Sequence, residues 1–206
     1  MLAEVGRGRV LVVPGGGQFA ESVRETQRYW RFDDLTAHNM AVLGMAQTAH
    51  MLHALEPRLV LAADEADIRR VLHAGQAALW MPLPVLRDAP DLLTSWEVTA
   101  DSLALWLALR SNAEALVVVK SGSVPSQLTL AQLTARGTVD ARFADWARDA
   151  PFPIEVVECT DMDRVRDGLL GGPSFLQPDL PRAFQAARTR RGANAGARSR
   201  RKNPPA

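Results

Sequence analysis

The sequence has few of the residues that mark secreted or membrane-spanning proteins. Its 206 residues contain one cysteine, Cys159, so no disulfide can form within the chain, and no charged and then apolar leader opens it. No apolar run approaches the roughly 20 residues needed to span a bilayer. These absences exclude a disulfide-stabilised extracellular domain, and they predict a cytoplasmic protein that has no membrane partner.

Acidic residues are missing from the last part of the chain. From Arg182 to Ala206 there are eight arginine or lysine residues and no aspartate or glutamate, whereas the first 181 residues hold 16 basic and 23 acidic residues. The body is therefore acidic and offers no basic face to nucleic acid, which we do not expect as a partner. We expect one folded domain over residues 1–172 and a basic, disordered tail over residues 173–206.

Short apolar runs alternate with helical patterns along the acidic body. Apolar residues make up 47% of the chain, which is enough for one core. Five runs predict buried strands, at residues 9–13, 59–62, 77–81, 115–120 and 154–158. Helices are predicted near residues 18–31, 34–56, 64–73, 101–111, 129–135, 141–149 and 162–170. This alternation predicts an α/β fold with a largely parallel sheet.

A glycine triplet, Gly15, Gly16 and Gly17, separates the first predicted strand from the first predicted helix. Residues without side chains let backbone N–H groups approach an anion, and the following helix N-terminus adds a dipole that favours phosphate. The triplet is neither a Walker A loop nor a G-x-G-x-x-G dinucleotide motif. It predicts either an anion-binding turn or an ordinary tight turn between strand and helix.

Two further segments carry residues suited to phosphate chemistry. Thr99 and Asp101 lie where an irregular segment becomes a helix. They can cap that helix, or Asp101 can organise cations around a transferring phosphoryl group. Lys120 ends the most apolar strand and Ser121 follows it. Ligands gather at the carboxyl ends of parallel strands, so these two residues suit nucleotide phosphates, although a solvated lysine at a strand end is the alternative.

The sequence predicts no metal site built from protein ligands alone. His50, His53 and Glu56 share one face of a predicted helix. No matching cluster of ligands occurs elsewhere in the sequence, so we interpret them as partly exposed helix residues. Cys159 has no basic neighbour that would make it a thiolate nucleophile, and we interpret it as structural.

Four segments combine into a recognisable pattern. They are Val12–Ala20 (VVPGGGQFA), Asp34–Gln47 (DLTAHNMAVLGMAQ), Ser95–Ala104 (SWEVTADSLA) and Leu116–Lys120 (LVVVK). In this order they resemble the second glycine motif, the following helix, the aspartate motif and the nucleotide-site strand of the amino acid kinase superfamily. That group includes acetylglutamate, aspartate and uridylate kinases. The resemblance covers most of residues 9–160.

Three details resemble one branch of that superfamily, the branch that contains the (aminomethyl)furan phosphate kinases of methanofuran biosynthesis. Trp96 precedes the Val98–Thr99 pair, Lys120 stands where other branches have aspartate, and Gly137–Asp140 precedes Phe143. The superfamily's first strand has the form Lys-x-Gly-Gly-Ser, and this sequence begins almost directly at the next strand. The resemblance therefore implies a three-layer αβα sandwich that lacks the first strand.

The resemblance also implies an activity and a set of site residues. It implies transfer of the γ-phosphoryl group of ATP, with Mg²⁺, to a small-molecule acceptor that can itself be a phosphomonoester, giving a diphosphate. It places the acceptor or transferring phosphate at Gly15, Gly16, Gly17 and Thr99, the cation-orienting carboxylate at Asp101, and the nucleotide at Lys120 and Ser121. A homo-oligomer is expected. The alternative is an inactive nucleotide-binding, ligand-binding or regulatory member of the same fold.

Overall fold

The computed structural model describes residues 1–125 and 128–170, so the basic tail predicted over 173–206 lies outside the described residues. The helices in the described part are α1 (Leu2–Val5), α2 (Gly17–Trp30), α3 (Asp34–Leu55), α4 (Glu65–His73), α5 (Ala100–Arg110), α6 (Leu130–Ala135), α7 (Phe143–Ala147) and α8 (Met162–Leu169). The strands are β1 (Leu11–Val12), β2 (Leu59–Ala62), β3 (Ala77–Trp80), β4 (Leu116–Lys120) and β5 (Ile154–Glu158). None of these helices is both long enough and apolar enough to cross a membrane.

The strands of the described residues form two parallel sheets. Three strands lie in the order β1–β3–β2, with Leu11 opposite Ala78 and Leu59 opposite Ala77. Strands β4 and β5 form a separate pair in which Lys120 lies opposite Glu158. Every pairing is parallel, so within each sheet the carboxyl ends of the strands lie at one edge. The predicted α/β class with parallel strands is confirmed, and the arrangement is consistent with an α/β sandwich.

Helices cover both faces of the three-stranded sheet. The four residues of β3 are all buried, and their side chains alternate between the faces. Trp80 belongs to a core that includes Ile68 of α4, whereas Leu79 belongs to a core that includes Ala49 of α3. Burial on both faces explains why the strand sequences are continuously apolar instead of alternating.

Helix α5 links the two sheets through its buried side chains. Leu103 and Leu107 belong to the core on the three-stranded sheet, whereas Leu105 belongs to the core that includes Val118 of β4. Helix α5 is therefore apolar on more than one side, as expected for a helix packed between layers. Its packing in both cores fixes its N-terminus, where Asp101 lies.

Two features at the start of the chain differ from the prediction. Helix α1 was not predicted, and it packs Ala3 against the core on the α3 side of the sheet. Strand β1 spans only Leu11–Val12, shorter than the predicted run of residues 9–13. In the described residues the ladder between β1 and β3 covers only Leu11 and Val12, and Pro14, which has no N–H to donate, follows two residues later.

Candidate functional site

The glycine turn leads from β1 into α2, and no side chain packs against Gly15 or Gly17. Gly16 is the N-cap of α2, and Gly17 is its first residue, with a φ of 53° that glycine adopts readily. The first N–H bonded within the helix is that of Ala20, which donates to the Gly16 carbonyl at 3.2 Å. A Cβ built at Gly15 or Gly17 would meet nothing within 4 Å. Unpaired amides at an open helix N-terminus are suited to an anion.

The turn can be tested by comparing two alanine substitutions. At Gly16 a Cβ would lie 2.4 Å from the Cβ of Ala20, whereas at Gly15 it would lie in open space. We expect Gly16→Ala to lower the free energy of unfolding by about 1–3 kcal/mol, because α2 must shift to relieve the overlap. Gly15→Ala is the matched control, and it should change stability by less than about 0.5 kcal/mol. Urea unfolding measures both, and equal values would contradict the packing described here.

Asp101 and Lys120 form an ion pair at the carboxyl end of β4. The Lys120 Nζ lies 2.9 Å from Oδ2 and 3.1 Å from Oδ1 of Asp101, so the ammonium contacts both carboxylate oxygens. The side chains are 27% and 13% exposed, respectively. Lys120 is the only lysine in the sequence before Lys202. The fold therefore brings together two residues that lie 19 positions apart and that the sequence had assigned to one phosphate site.

Burial raises the pKa of the Asp101 carboxyl above its ordinary value of 3.8. The hydrogen bond and the positive charge of Lys120 oppose this rise and lower the pKa. The negative charge of Asp140 raises it again, and the backbone N–H of Asp140 lowers it. Desolvation is the largest of these effects, as expected for a carboxylate withdrawn from water. Ionising this carboxyl is therefore less favourable than ionising an aspartate in water, and the Lys120 ammonium offsets part of the difference.

A carboxylate from a distant segment caps the helix that carries Asp101. Thr99 is the N-cap of α5, but its own side chain accepts no capping hydrogen bond. Instead, Asp140 Oδ2 accepts from the N–H of Thr99 at 2.8 Å, from its hydroxyl at 3.1 Å and from the N–H of Ser102 at 2.9 Å. The Ser102 hydroxyl donates to Oδ1. Thr99 therefore occupies the N-cap position, but the acceptor is Asp140, to which the sequence assigned no role.

Ser121 is exposed and begins a loop that is held by Glu158, the last residue of β5. Glu158 Oε1 accepts from the Ser123 hydroxyl at 2.8 Å and from the Val124 N–H at 2.7 Å. The Val124 N–H and then the Ser123 hydroxyl lower the pKa of the Glu158 carboxyl, because both stabilise its charged form. The loop after Lys120 is therefore anchored close to the Asp101–Lys120 pair, and Ser121 stays open to solvent.

The structure joins some of the predicted site residues and leaves others apart. Asp101 contacts Lys120, and Thr99 is connected to the same helix terminus through Asp140. In the described residues, no hydrogen bond or ion pair links residues 15–17 to these side chains. A cleft of about 500 Å³ opens elsewhere, beside the carboxyl ends of β2 and β3, and none of the predicted site residues lines it. The candidate site is thus an ion pair and an open glycine turn, each after a parallel strand.

Comparison with known proteins connects this chain to a kinase. No protein-family model matches the sequence. Over 100 residues it is 26% identical to the (5-(aminomethyl)furan-3-yl)methyl phosphate kinase of Methanocaldococcus jannaschii. The matched segment covers 48% of this chain and 45% of that protein, so the match spans about half of each. This similarity supports a relationship to a phosphate kinase over the matched half of the chain.

Proposed function

We propose that this chain is an ATP-dependent phosphotransferase of the amino acid kinase type that acts on a small-molecule acceptor. The observation that carries the proposal is the Asp101–Lys120 ion pair, which is largely buried at the carboxyl end of β4. Ligands of parallel α/β sheets bind at that edge. Phosphoryl transfer needs positioned positive charge and a carboxylate that organises cations, and this pair provides both kinds of group.

The residues present suit a polyphosphate. The open amides of the glycine turn can donate to phosphate oxygens, since no side chain lies within 4 Å of a Cβ built at Gly15 or Gly17. The Lys120 ammonium is 27% exposed at the side chain and can share its positive charge with a phosphate while it stays near Asp101. Neutralising and orienting the phosphates are the main contributions a protein makes to this chemistry.

The residues also suit Mg²⁺ bound together with a nucleotide. Within residues 1–125 and 128–170, no group of three or more histidine, cysteine or acidic side chains could hold a metal ion by itself. Mg²⁺ is commonly held by one or two carboxylates together with substrate phosphates, and Asp101 can supply one carboxylate. When bound, Mg²⁺ supplies positive charge to the phosphate oxygens. Asp101 would orient the ion, and Lys120 would hold the Asp101 carboxylate in place.

For the acceptor we propose a phosphomonoester, so that the product is a diphosphate. The support comes from the similar kinase of Methanocaldococcus jannaschii, whose name specifies a furanylmethyl phosphate. A phosphomonoester acceptor brings additional negative charge into the site. Lys120 and the glycine amides would offset that charge as the acceptor and ATP approach.

The second candidate is a protein of the same fold that binds a ligand without turnover. The observation that favours it is that Asp101 and Lys120 already satisfy each other at 2.9 Å. In such a protein the ion pair would stabilise the end of β4, and the glycine turn would bind an anion. Nucleotide binding without product formation would distinguish this candidate from the enzyme.

The assay uses the purified full chain with ATP, Mg²⁺ and (5-(aminomethyl)furan-3-yl)methyl phosphate. We expect ³¹P NMR to show ADP and a new diphosphate product, both of which require Mg²⁺. A panel of other phosphomonoesters and amino acids tests the acceptor class, and isothermal titration with ATP tests binding. Binding without any product across the panel would reject the phosphotransferase and favour the binding protein. Failure to bind ATP would reject both.

A further inference from the structure

Helix α5 is capped by a carboxylate from a distant segment and not by the side chain of its own N-cap residue. A threonine at the N-cap ordinarily accepts from the N–H of the third helical residue, which in α5 is Ser102. Asp140 Oδ2 takes that place at 2.9 Å and also accepts from the N–H of Thr99 at 2.8 Å. The first turn of α5, which carries Asp101, is therefore held by a residue outside the helix.

Asp140 is held rigidly. Val139, directly before it, and Phe143, three residues after it, are 2% and 0% exposed and belong to one core. The Phe143 N–H donates to the Asp140 carbonyl at 3.2 Å, and the Arg142 N–H donates to the Glu97 carbonyl at 3.1 Å. The segment that carries Asp140 is thus fixed both to the core and to the residues just before α5. A carboxylate fixed in this way can set the position of the groups that donate to it.

The acceptor positions of the Asp140 carboxylate are also all occupied. A carboxylate has about four acceptor positions, and Asp140 accepts from two N–H groups and two hydroxyls. All four donors belong to Thr99 and Ser102, which lie on either side of Asp101 in the chain. Asp140 is therefore not left free to bind a cation itself. Its contacts act on the first turn of α5 and, through that turn, on Asp101.

We infer that Asp140 is a positioning residue for phosphoryl transfer, holding the first turn of α5 so that the Asp101 carboxylate faces Lys120. This inference rests on the proposed function. Without the contacts of Asp140, the first turn of α5 would lose the partners of two backbone N–H groups, and Asp101 would leave the orientation in which Lys120 reaches both of its oxygens. Groups that orient a catalytic carboxylate typically affect activity 10- to 100-fold when they are removed.

The test is Asp140→Ala, which removes the acceptor of all four contacts. Asp140→Asn is the conservative variant, because its amide oxygen can still accept from the N–H groups of Thr99 and Ser102. The matched control is Asp33→Ala. Asp33 is the N-cap of α3, where it accepts from the Thr36 N–H at 2.7 Å, and it lies outside the candidate site.

Two measurements separate positioning from capping alone. In the kinase assay we expect kcat to fall about 10- to 100-fold in Asp140→Ala, with KM for ATP changed less than about 3-fold, and to stay within about 3-fold of the unaltered protein in Asp140→Asn. Asp33→Ala should leave kcat within about 2-fold of the unaltered protein. By hydrogen exchange we expect the N–H groups of Thr99 and Ser102 to exchange faster in Asp140→Ala and at an unchanged rate in Asp33→Ala.

The inference is overturned if the kcat of Asp140→Ala falls no further than that of Asp33→Ala, or if the kcat of Asp140→Asn falls as far as that of Asp140→Ala. These outcomes differ from failure of the proposed function, in which the unaltered protein itself forms no product. In that case hydrogen exchange decides the structural part of the inference. Exchange at Thr99 and Ser102 that is unchanged in Asp140→Ala would then overturn it, and faster exchange at these two residues alone would support it.

Discussion

Asp101→Asn is expected to lower kcat for phosphoryl transfer about 10³-fold while the protein stays folded. The amide keeps the size of the side chain but removes the negative charge that would orient Mg²⁺ beside the Lys120 ammonium. The matched control is Asp163→Asn. Asp163 is the second residue of α8, as Asp101 is of α5, and its side chain is 85% exposed. That substitution should leave kcat unchanged within about 2-fold.

The same variant should change how stability depends on pH. Burial raises the pKa of Asp101 above 3.8 in the folded protein, so the folded state binds this proton more tightly than the unfolded state does. The free energy of unfolding of the unaltered protein therefore decreases as the pH rises from about 4 through the raised pKa. Asp101→Asn lacks this decrease. Its stability relative to the unaltered protein should increase over that pH range in urea unfolding. A pH-independent difference, or a kcat within 10-fold of the unaltered protein, would contradict the role given to Asp101.

Lys120→Met should produce the second large effect, on both activity and stability. We expect kcat to fall at least about 10²-fold, because the methionine carries no charge to offset that of the phosphates. It also leaves Asp101 buried without its cation, so the pKa of Asp101 should rise further. At pH 7 we expect a loss of about 1–3 kcal/mol in the free energy of unfolding, since a largely buried carboxylate is left unpaired.

The stability effect of Lys120→Met is tested by a double-mutant cycle. Lys120→Met combined with Asp101→Asn should recover most of the lost stability, because no unpaired charge remains. The matched control is Arg110→Met, which breaks the ion pair between Arg110 and Glu65. That pair has a 2.7 Å separation, and its side chains are 54% and 41% exposed. An exposed pair should contribute no more than about 1 kcal/mol. If Lys120→Met lowered the free energy of unfolding no more than Arg110→Met does, burial would not strengthen the Asp101–Lys120 ion pair.

Much of the secondary structure could be predicted from the sequence, because local patterns specify it. The continuous apolar runs at residues 59–62 and 77–81 predicted strands that are buried on both faces, and β2 and β3 lie there. Helix α3 begins after Asp33, whose side chain accepts from Thr36, as expected for an aspartate N-cap. Strand β1 was predicted too long, because the extent of its pairing with β3 is decided by tertiary contacts that the local pattern does not record.

The candidate site was predicted in part. The sequence placed Asp101 at a helix start and Lys120 at a strand end, and the structure brings them to 2.9 Å. The role of Asp140 could not be predicted, because it lies 41 residues from Thr99 and 38 from Ser102. No periodicity or local motif connects positions so far apart. Its only signal was its place in the segment Gly137–Asp140, which resembles a segment of the kinase branch.

By itself, the sequence determined the alternation of strands and helices, the α/β class, the glycine turn after β1 and the residue types suited to phosphate. These follow from hydrophobic periodicity and from glycine and capping residues, which act over a few positions along the chain. Only the tertiary structure decided that the described strands divide into two sheets, that Lys120 neutralises Asp101, and that Asp140 caps the helix that carries Asp101. Contacts of this kind depend on how helix α5 packs in both cores. Such packing arises from long-range burial of apolar surface, which no local pattern records.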